Sequence, residues 1–166
     1  MKVLWFSVTP SLFHSYSNGH NGGGWIASLE RIVRQVQEVE LGIAFNFAAE
    51  GFVYEQDGVK YYPISHESLE TYKQIIDDFK PDLIQIFGSE NDFGRICDTT
   101  EVPVVIHMQG CLPPYHNALL PVGMSKTDFI LQKGLSLRYR YIGLRSESAF
   151  RKRAKRELQT IGKCRY

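Results

Sequence analysis

Cysteine is scarce in this chain, with three in 166 residues, at positions 97, 111 and 164. They are odd in number, far apart and never form a C-x-x-C pair, which argues against a disulfide framework or a zinc site and for a reducing compartment. No apolar run approaches the length needed to cross a bilayer. The stretch after Lys2 is too short for a signal peptide, and no small-residue cleavage site follows it, so the protein is expected in the cytoplasm. No G-x-G-x-x-G follows the first apolar run directly, which disfavours NAD binding. His14, His20, His66 and His116 form no H-x-x-x-H or H-E-x-x-H spacing, and no metal is assigned. Internal repeats and low-complexity tracts are lacking as well.

What is present is a chain with 43% hydrophobic, 22% charged and 13% aromatic residues, the profile of a single α/β domain with ample core. Lys2-Val3-Leu4-Trp5-Phe6-Ser7-Val8 is a short, nearly continuous apolar run of the kind buried in a parallel sheet. Further strands are expected at residues 41–47, 82–87 and 103–107. Residues 51–64 read as a small hairpin turning at Asp57-Gly58. Leu69, Tyr72, Ile75, Ile76 and Phe79 mark a helix that stops before Pro81, and Asn91 to Cys97 is a short helix. Trp25, Ile26, Leu29, Ile32, Val33 and Val36 recur at helical spacing and predict one broad apolar stripe. Alternating strands and helices of this kind predict a Rossmann-like three-layer domain with a central parallel sheet and right-handed crossovers.

In such sheets ligands sit beyond the carboxyl ends of the strands, where strand order reverses. Three segments leave strands there: Gly22-Gly23-Gly24, Gly88-Ser89-Glu90-Asn91 and His107-Met108-Gln109-Gly110. Each mixes glycine with polar side chains, and their recurrence on one edge points to a cleft. The three glycines open a helix whose first-turn N–H groups and dipole suit an anion, or they serve close helix-to-sheet packing. Thr9 to Asn21, a long polar connection before them, is unusual for a βα unit. Glu90 and Asp92 contact a ligand or cap the next helix. His107 is a ligand contact or a structural group at a strand end.

Gly22-Gly23-Gly24-Trp25-Ile26 before a helix, Pro81-Asp82-Leu83-Ile84-Gln85-Ile86-Phe87-Gly88-Ser89-Glu90, and Pro103-Val104-Val105-Ile106-His107-Met108-Gln109-Gly110 together resemble the amino-terminal domain of a GT-B glycosyltransferase. The resemblance is to the family 4-like type of bacterial polysaccharide assembly and spans nearly the whole chain. It implies a single Rossmann-like domain over residues 1–166, the acceptor-binding half of a retaining enzyme. Such an enzyme moves a sugar from a nucleotide-sugar co-substrate to a saccharide or lipid-linked acceptor, with no further cofactor. By this resemblance Gly22, Gly23 and Gly24 lie against the donor diphosphate and His107, the catalytic residue, faces the transferred sugar or the attacking hydroxyl. Ser89, Glu90, Asn91, Gln109 and Gly110 line the acceptor side. The family's donor-binding second domain, with its basic pair and E-x(7)-E element, is not in these residues, so the domain alone is expected to be inactive. The alternative from another class is a stand-alone, non-catalytic α/β module that holds an anionic small molecule on its glycine loop.

The near-neutral total of +1 hides a polarised chain. Residues 138–166 hold ten Lys or Arg against two acids, a net of +8, whereas the preceding 137 residues hold nine against sixteen, a net of −7. Phe150, Ala154, Leu158 and Ile161 predict an apolar stripe on a helix whose other faces carry Arg151, Lys152, Arg153, Lys155 and Arg156. A basic amphipathic helix suits peripheral contact with an anionic membrane, useful for a lipid-linked acceptor; the plain reading is a packed helix with a solvated basic face. Aromatic and basic residues do not interleave as in a stacking platform, so no nucleic-acid partner is expected.

Overall fold

The computed structural model describes residues 1–13, 24–48, 51–120, 122–131 and 136–163. In chain order the elements are β1 (Lys2–Ser7), α1 (Trp25–Val33), β2 (Glu40–Asn46), β3 (Tyr54–Gln56), β4 (Val59–Ile64), α2 (Leu69–Phe79) and β5 (Leu83–Phe87). A 3-10 segment (Asp92–Asp98), β6 (Val104–His107), α3 (Leu112–Asn117), α4 (Lys126–Leu131) and α5 (Leu137–Ile161) complete them. The strands form one sheet in the order β3-β4-β2-β1-β5-β6. Every pairing is parallel except the β3–β4 hairpin, which turns at Asp57-Gly58. All four expected strands are present: β1 ends one residue early, β2 is shifted one residue earlier, and β5 and β6 each begin one residue late.

Alternation along each strand divides the core between the two faces of the sheet. Leu4, Phe6, Ala44, Ile84 and Ile86 pack with Tyr72, Ile75, Ile76 and Phe79 of α2 and with Phe93 and Ile96 of the 3-10 segment. Val3, Trp5, Ile43, Phe45 and Tyr61 pack on the other face with Ile26 of α1, and Leu29 and Val33 lean on them. Helix α2 starts where the Ser68 side chain accepts the Thr71 amide at 3.1 Å and ends at the left-handed Lys80, one residue before Pro81. With β2 on one side of β1 and β5 on the other, strand order reverses at β1. Helices on both faces make this the expected Rossmann-like, three-layer α/β fold.

Two helices bury faces that match only in part those the apolar spacing predicts. In α1, Trp25 is 45% and Ile32 60% exposed, and Val36 lies beyond the helix end; Ile26, Ala27 and Glu30 are the buried residues. The carboxylate turns inward because donors await it: the Leu12 amide at 3.1 Å, the Arg34 guanidinium at 2.8 and 2.5 Å, and the Tyr61 hydroxyl. In α5 the predicted stripe of Phe150, Ala154, Leu158 and Ile161 is buried only in part, with Ala154 inside, Phe150 half-buried and Ile161 exposed. Leu158 is 58% exposed, and Glu157 and Thr160 turn inward beside Ala154 in its place. Thr160 rests on Gly94 of the 3-10 segment, where an added Cβ would stand 2.4 Å from the threonine side chain. Contact that close admits glycine only, so small residues rather than large apolar ones decide the docking face.

Tyr61, Tyr62 and Tyr72 are fully buried. Burial is the first cause that pushes each phenol well above its ordinary value. The Glu30 carboxylate adds to the effect on Tyr61, Asp78 to that on Tyr62, and Glu67 and Asp92 to that on Tyr72. The unfolded chain releases these protons near pH ~10 while the folded chain keeps them, so stability is constant below that pH and falls as pH rises through it. Denaturant midpoints should hold level from about pH 7 to pH 9 and drop steeply above about pH 10. The Tyr72 hydroxyl has no hydrogen-bond partner among the described residues. Tyr72→Phe should therefore flatten the alkaline drop by about one proton without loss at neutral pH; an unchanged slope would refute this.

Candidate functional site

The reversal of strand order leaves a gap beyond the carboxyl ends of β1 and β5, and a cleft of about 620 Å³ occupies it. Ser7, Val8 and Thr9 line it from the end of β1, Gly24, Trp25 and Ile26 from the start of α1, and Phe87, Glu90, Asn91 and Asp92 from the end of β5. Gln109 reaches it from beyond β6 and Glu67 from the turn before α2, while Arg153 and Arg156 close it from α5. Local chemistry shapes each wall. At the β1 exit the Ser7 oxygen accepts the Thr9 amide at 3.1 Å, which turns the chain out of the sheet. At the β5 exit Gly88 holds φ +94°, and the Glu90 and Asn91 side chains fold back over it. An added Cβ there would meet Asn91 Nδ2 at 2.8 Å and Glu90 Oε2 at 3.0 Å.

One aromatic stack forms the floor between α1 and β6. The Trp25 ring lies 5.3 Å from Phe87, edge to face, and 5.0 Å from the His107 imidazole at an interplanar angle of 38°. The parallel register places His107 directly beside Phe87, and the Gly88 amide donates to the His107 carbonyl at 2.9 Å. His107 is thus an exposed ring held against Trp25, and Trp25 rather than His107 is in the cleft lining.

Two buried glutamates pin the rim. Glu30 holds the Leu12 amide beyond β1. Glu157, wholly buried on α5, accepts the Leu112 amide with both carboxylate oxygens, at 3.1 and 3.2 Å. Leu112 opens α3, and the next two residues are Pro113 and Pro114, which have no N–H to offer. Its amide is therefore the first-turn donor most in need of a partner, and Glu157 fixes the segment after β6 through it.

The structure brings together Gly24, Glu90, Asn91 and Gln109 of the residues the sequence nominates. Ser89 lies buried behind them, with no hydrogen-bond partner for its Oγ among the described residues. Gly110 is exposed near Tyr115. Gly22 and Gly23 fall outside the described residues. Arg151, Lys152, Arg153 and Lys155 are exposed on α5 and Arg156 is half-buried; of these, Arg153 and Arg156 line the cleft. Sequence reasoning nominated those two arginines only for a membrane surface, and missed the Trp25–His107 stack and both buried glutamates. The available signal was the lone acid, Glu157, directly after the basic run 151–156. Asp92 is shared: its Oδ2 takes Arg95 at 3.0 Å, and its Oδ1 stands 3.8 Å from Arg156. Among the described residues, no three His, Cys, Asp or Glu side chains stand together to hold a metal, and no helix is long and apolar enough to cross a membrane.

No protein-family model matches the sequence, and no curated protein matches it. Among solved structures, sucrose-phosphate synthase from Thermosynechococcus elongatus shares the fold, with a TM-score of 0.52 over 80% of this chain at 8% identity. That protein is a GT-B glycosyltransferase, and the chain spans 39% of its length. The likeness establishes a glycosyltransferase-like, Rossmann-like fold.

Removing the Glu157 acceptor leaves a partly buried N–H unpaired. Glu157→Leu should lower stability by about 1–3 kcal/mol, whereas Glu157→Gln, which keeps one acceptor oxygen, should lose less. Chemical denaturation of the two variants checks the order; equal stabilities would mean the carboxylate does not hold the segment.

Proposed function

We propose that this chain is the acceptor-binding half of a retaining glycosyltransferase that moves a sugar from a nucleotide-sugar donor to a saccharide or lipid-linked acceptor. The observation that supports this best is the composition of the cleft at the strand-order reversal. Glu90 and Asn91 are held back over Gly88, Gln109 comes from beyond β6, and Trp25 offers a half-exposed aromatic face. Carboxylate and amide oxygens accept from sugar hydroxyls, amide N–H groups donate to them, and an indole face covers the apolar side of a sugar ring.

In this reading Glu90, Asn91 and Gln109 orient the acceptor, with Ser89 and Gly110 shaping the backbone around them. Gly24, together with Gly22 and Gly23, lies beside the donor diphosphate, and His107, braced by Trp25, faces the transferred sugar. The acceptor hydroxyl attacks the anomeric carbon, the bond to the diphosphate oxygen breaks, and that departing oxygen takes the hydroxyl proton. The protein then contributes positioning and charge stabilisation rather than a strong base. In the GT-B arrangement the groups that neutralise the diphosphate belong to a second domain, so residues 1–166 alone should bind saccharide and transfer little.

Trp5 is buried and Trp25 borders the cleft, so fluorescence of the chain reports the site. Titration with neutral oligosaccharides and nucleotide sugars should shift the emission, and Trp25→Phe should remove the response. Glu90→Gln should weaken saccharide binding about tenfold, equivalent to about 1.4 kcal/mol. Absence of saccharide binding, or robust sugar transfer by residues 1–166 alone, would overturn the half-site reading.

A further inference from the structure

The basic face of α5 divides in two. Arg151, Lys152 and Lys155 are exposed away from the cleft lining, while the exposed Arg153 and the half-buried Arg156, one turn apart on the same side of the helix, border the cleft. We propose that Arg153 and Arg156 form an anion-binding wall of the cleft, which takes a phosphate or carboxylate group carried by the saccharide ligand. What the anion is attached to rests on the saccharide reading above; the anion site itself rests on the geometry alone.

Three features make these two arginines a built site. First, their positions are fixed by what flanks them. Glu157, the next residue, is locked onto the Leu112 amide; Thr160, one turn on, sits on Gly94; and Lys163 pairs with Asp98. The helix cannot rotate its arginines out of the cleft without unpairing a buried carboxylate. Second, the positive charge is unspent. Arg153 has no ion-pair partner among the described residues, and Arg156 has only Asp92 at 3.8 Å, a carboxylate already engaged by Arg95 at 3.0 Å. Third, guanidinium is the cation suited to planar, two-pronged bonding of phosphate or carboxylate oxygens, and lysine at the same points would offer only a point charge.

Glu67, Glu90 and Asp92 line the same cleft. They repel a polyanion spread across the whole site, so an anion fits where the arginines stand and hydroxyls fit where the acids stand. Such a ligand has one charged group at one end and a polyol body, the chemistry of a sugar phosphate or a uronate.

The test is equilibrium binding of inorganic phosphate, pyrophosphate, glucuronate and a neutral oligosaccharide to the 166-residue chain, by calorimetry or by Trp25 emission. Phosphate and glucuronate should both bind. Arg153→Gln and Arg156→Gln should each weaken them at least fivefold, and the pair together should abolish binding, with unchanged thermal unfolding for Arg153→Gln. Lys152→Gln and Lys155→Gln should leave the affinities as they are. Pyrophosphate preferred strongly over phosphate would assign the arginines to a diphosphate, whereas equal or weaker pyrophosphate binding would assign them to a terminal phosphate or carboxylate. The proposal is overturned if no anion binds, or if the lysine variants weaken binding as much as the arginine variants. It is also overturned if phosphatidylglycerol vesicles lose the chain equally in all four variants, since that would place the arginines on a membrane surface. Anion binding without oligosaccharide binding would remove the sugar reading and keep the arginine site. Oligosaccharide binding with no anion binding would do the reverse.

Discussion

A carboxylate survives in a protein interior only where donors surround it, and the rim of this cleft hangs on two that do. Glu30 gathers the Leu12 amide, Arg34 and Tyr61, and Glu157 takes the Leu112 amide with both oxygens. One ties the exit of β1 to α1 and the other ties the exit of β6 to α5. Because these exits frame the cleft, its shape depends on two buried charges outside its lining. The burial of Arg34 would lower its pKa, but Glu30 and Tyr61 outweigh that and raise it, which holds the guanidinium in its charged form beside Glu30.

Docking of α5 follows from the same constraint. Once Glu157 is committed inward, helical spacing brings Ala154 and Thr160 inward too, and Gly94 provides the space for Thr160. Large apolar residues such as Leu158 are left outside, and Arg153 and Arg156 are turned to the strand ends. A helix that reads as a generic basic amphipath thus becomes one wall of the site, with its cations directed at the ligand space.

The strands were legible because sheet burial on both faces demands long apolar runs, and Val3 to Phe6 or Leu83 to Phe87 have no other stable place. Helix ends were legible where local chemistry dictates them, at the Ser68 cap and before Pro81. The cleft's edge followed from the parallel topology, and Glu90, Asn91 and Gln109 fell where strand exits predict. Trp25 was readable as apolar and helical, yet its role as the brace for His107 depends on β5 and β6 lying side by side.

By itself, then, the sequence determined the layers, the order of alternating elements and the edge of the sheet that carries polar glycine-rich turns, because these depend on neighbours within a few residues and on apolar periodicity. Only the tertiary structure decided that Glu30 of α1 turns inward beside Ile26 and which face of α5 is buried. Helical spacing says which residues share a face, but not which face finds a partner. For α5 the partner is an amide 45 positions away in the chain and a glycine just wide enough for a threonine, and a contact of that range leaves no periodic trace.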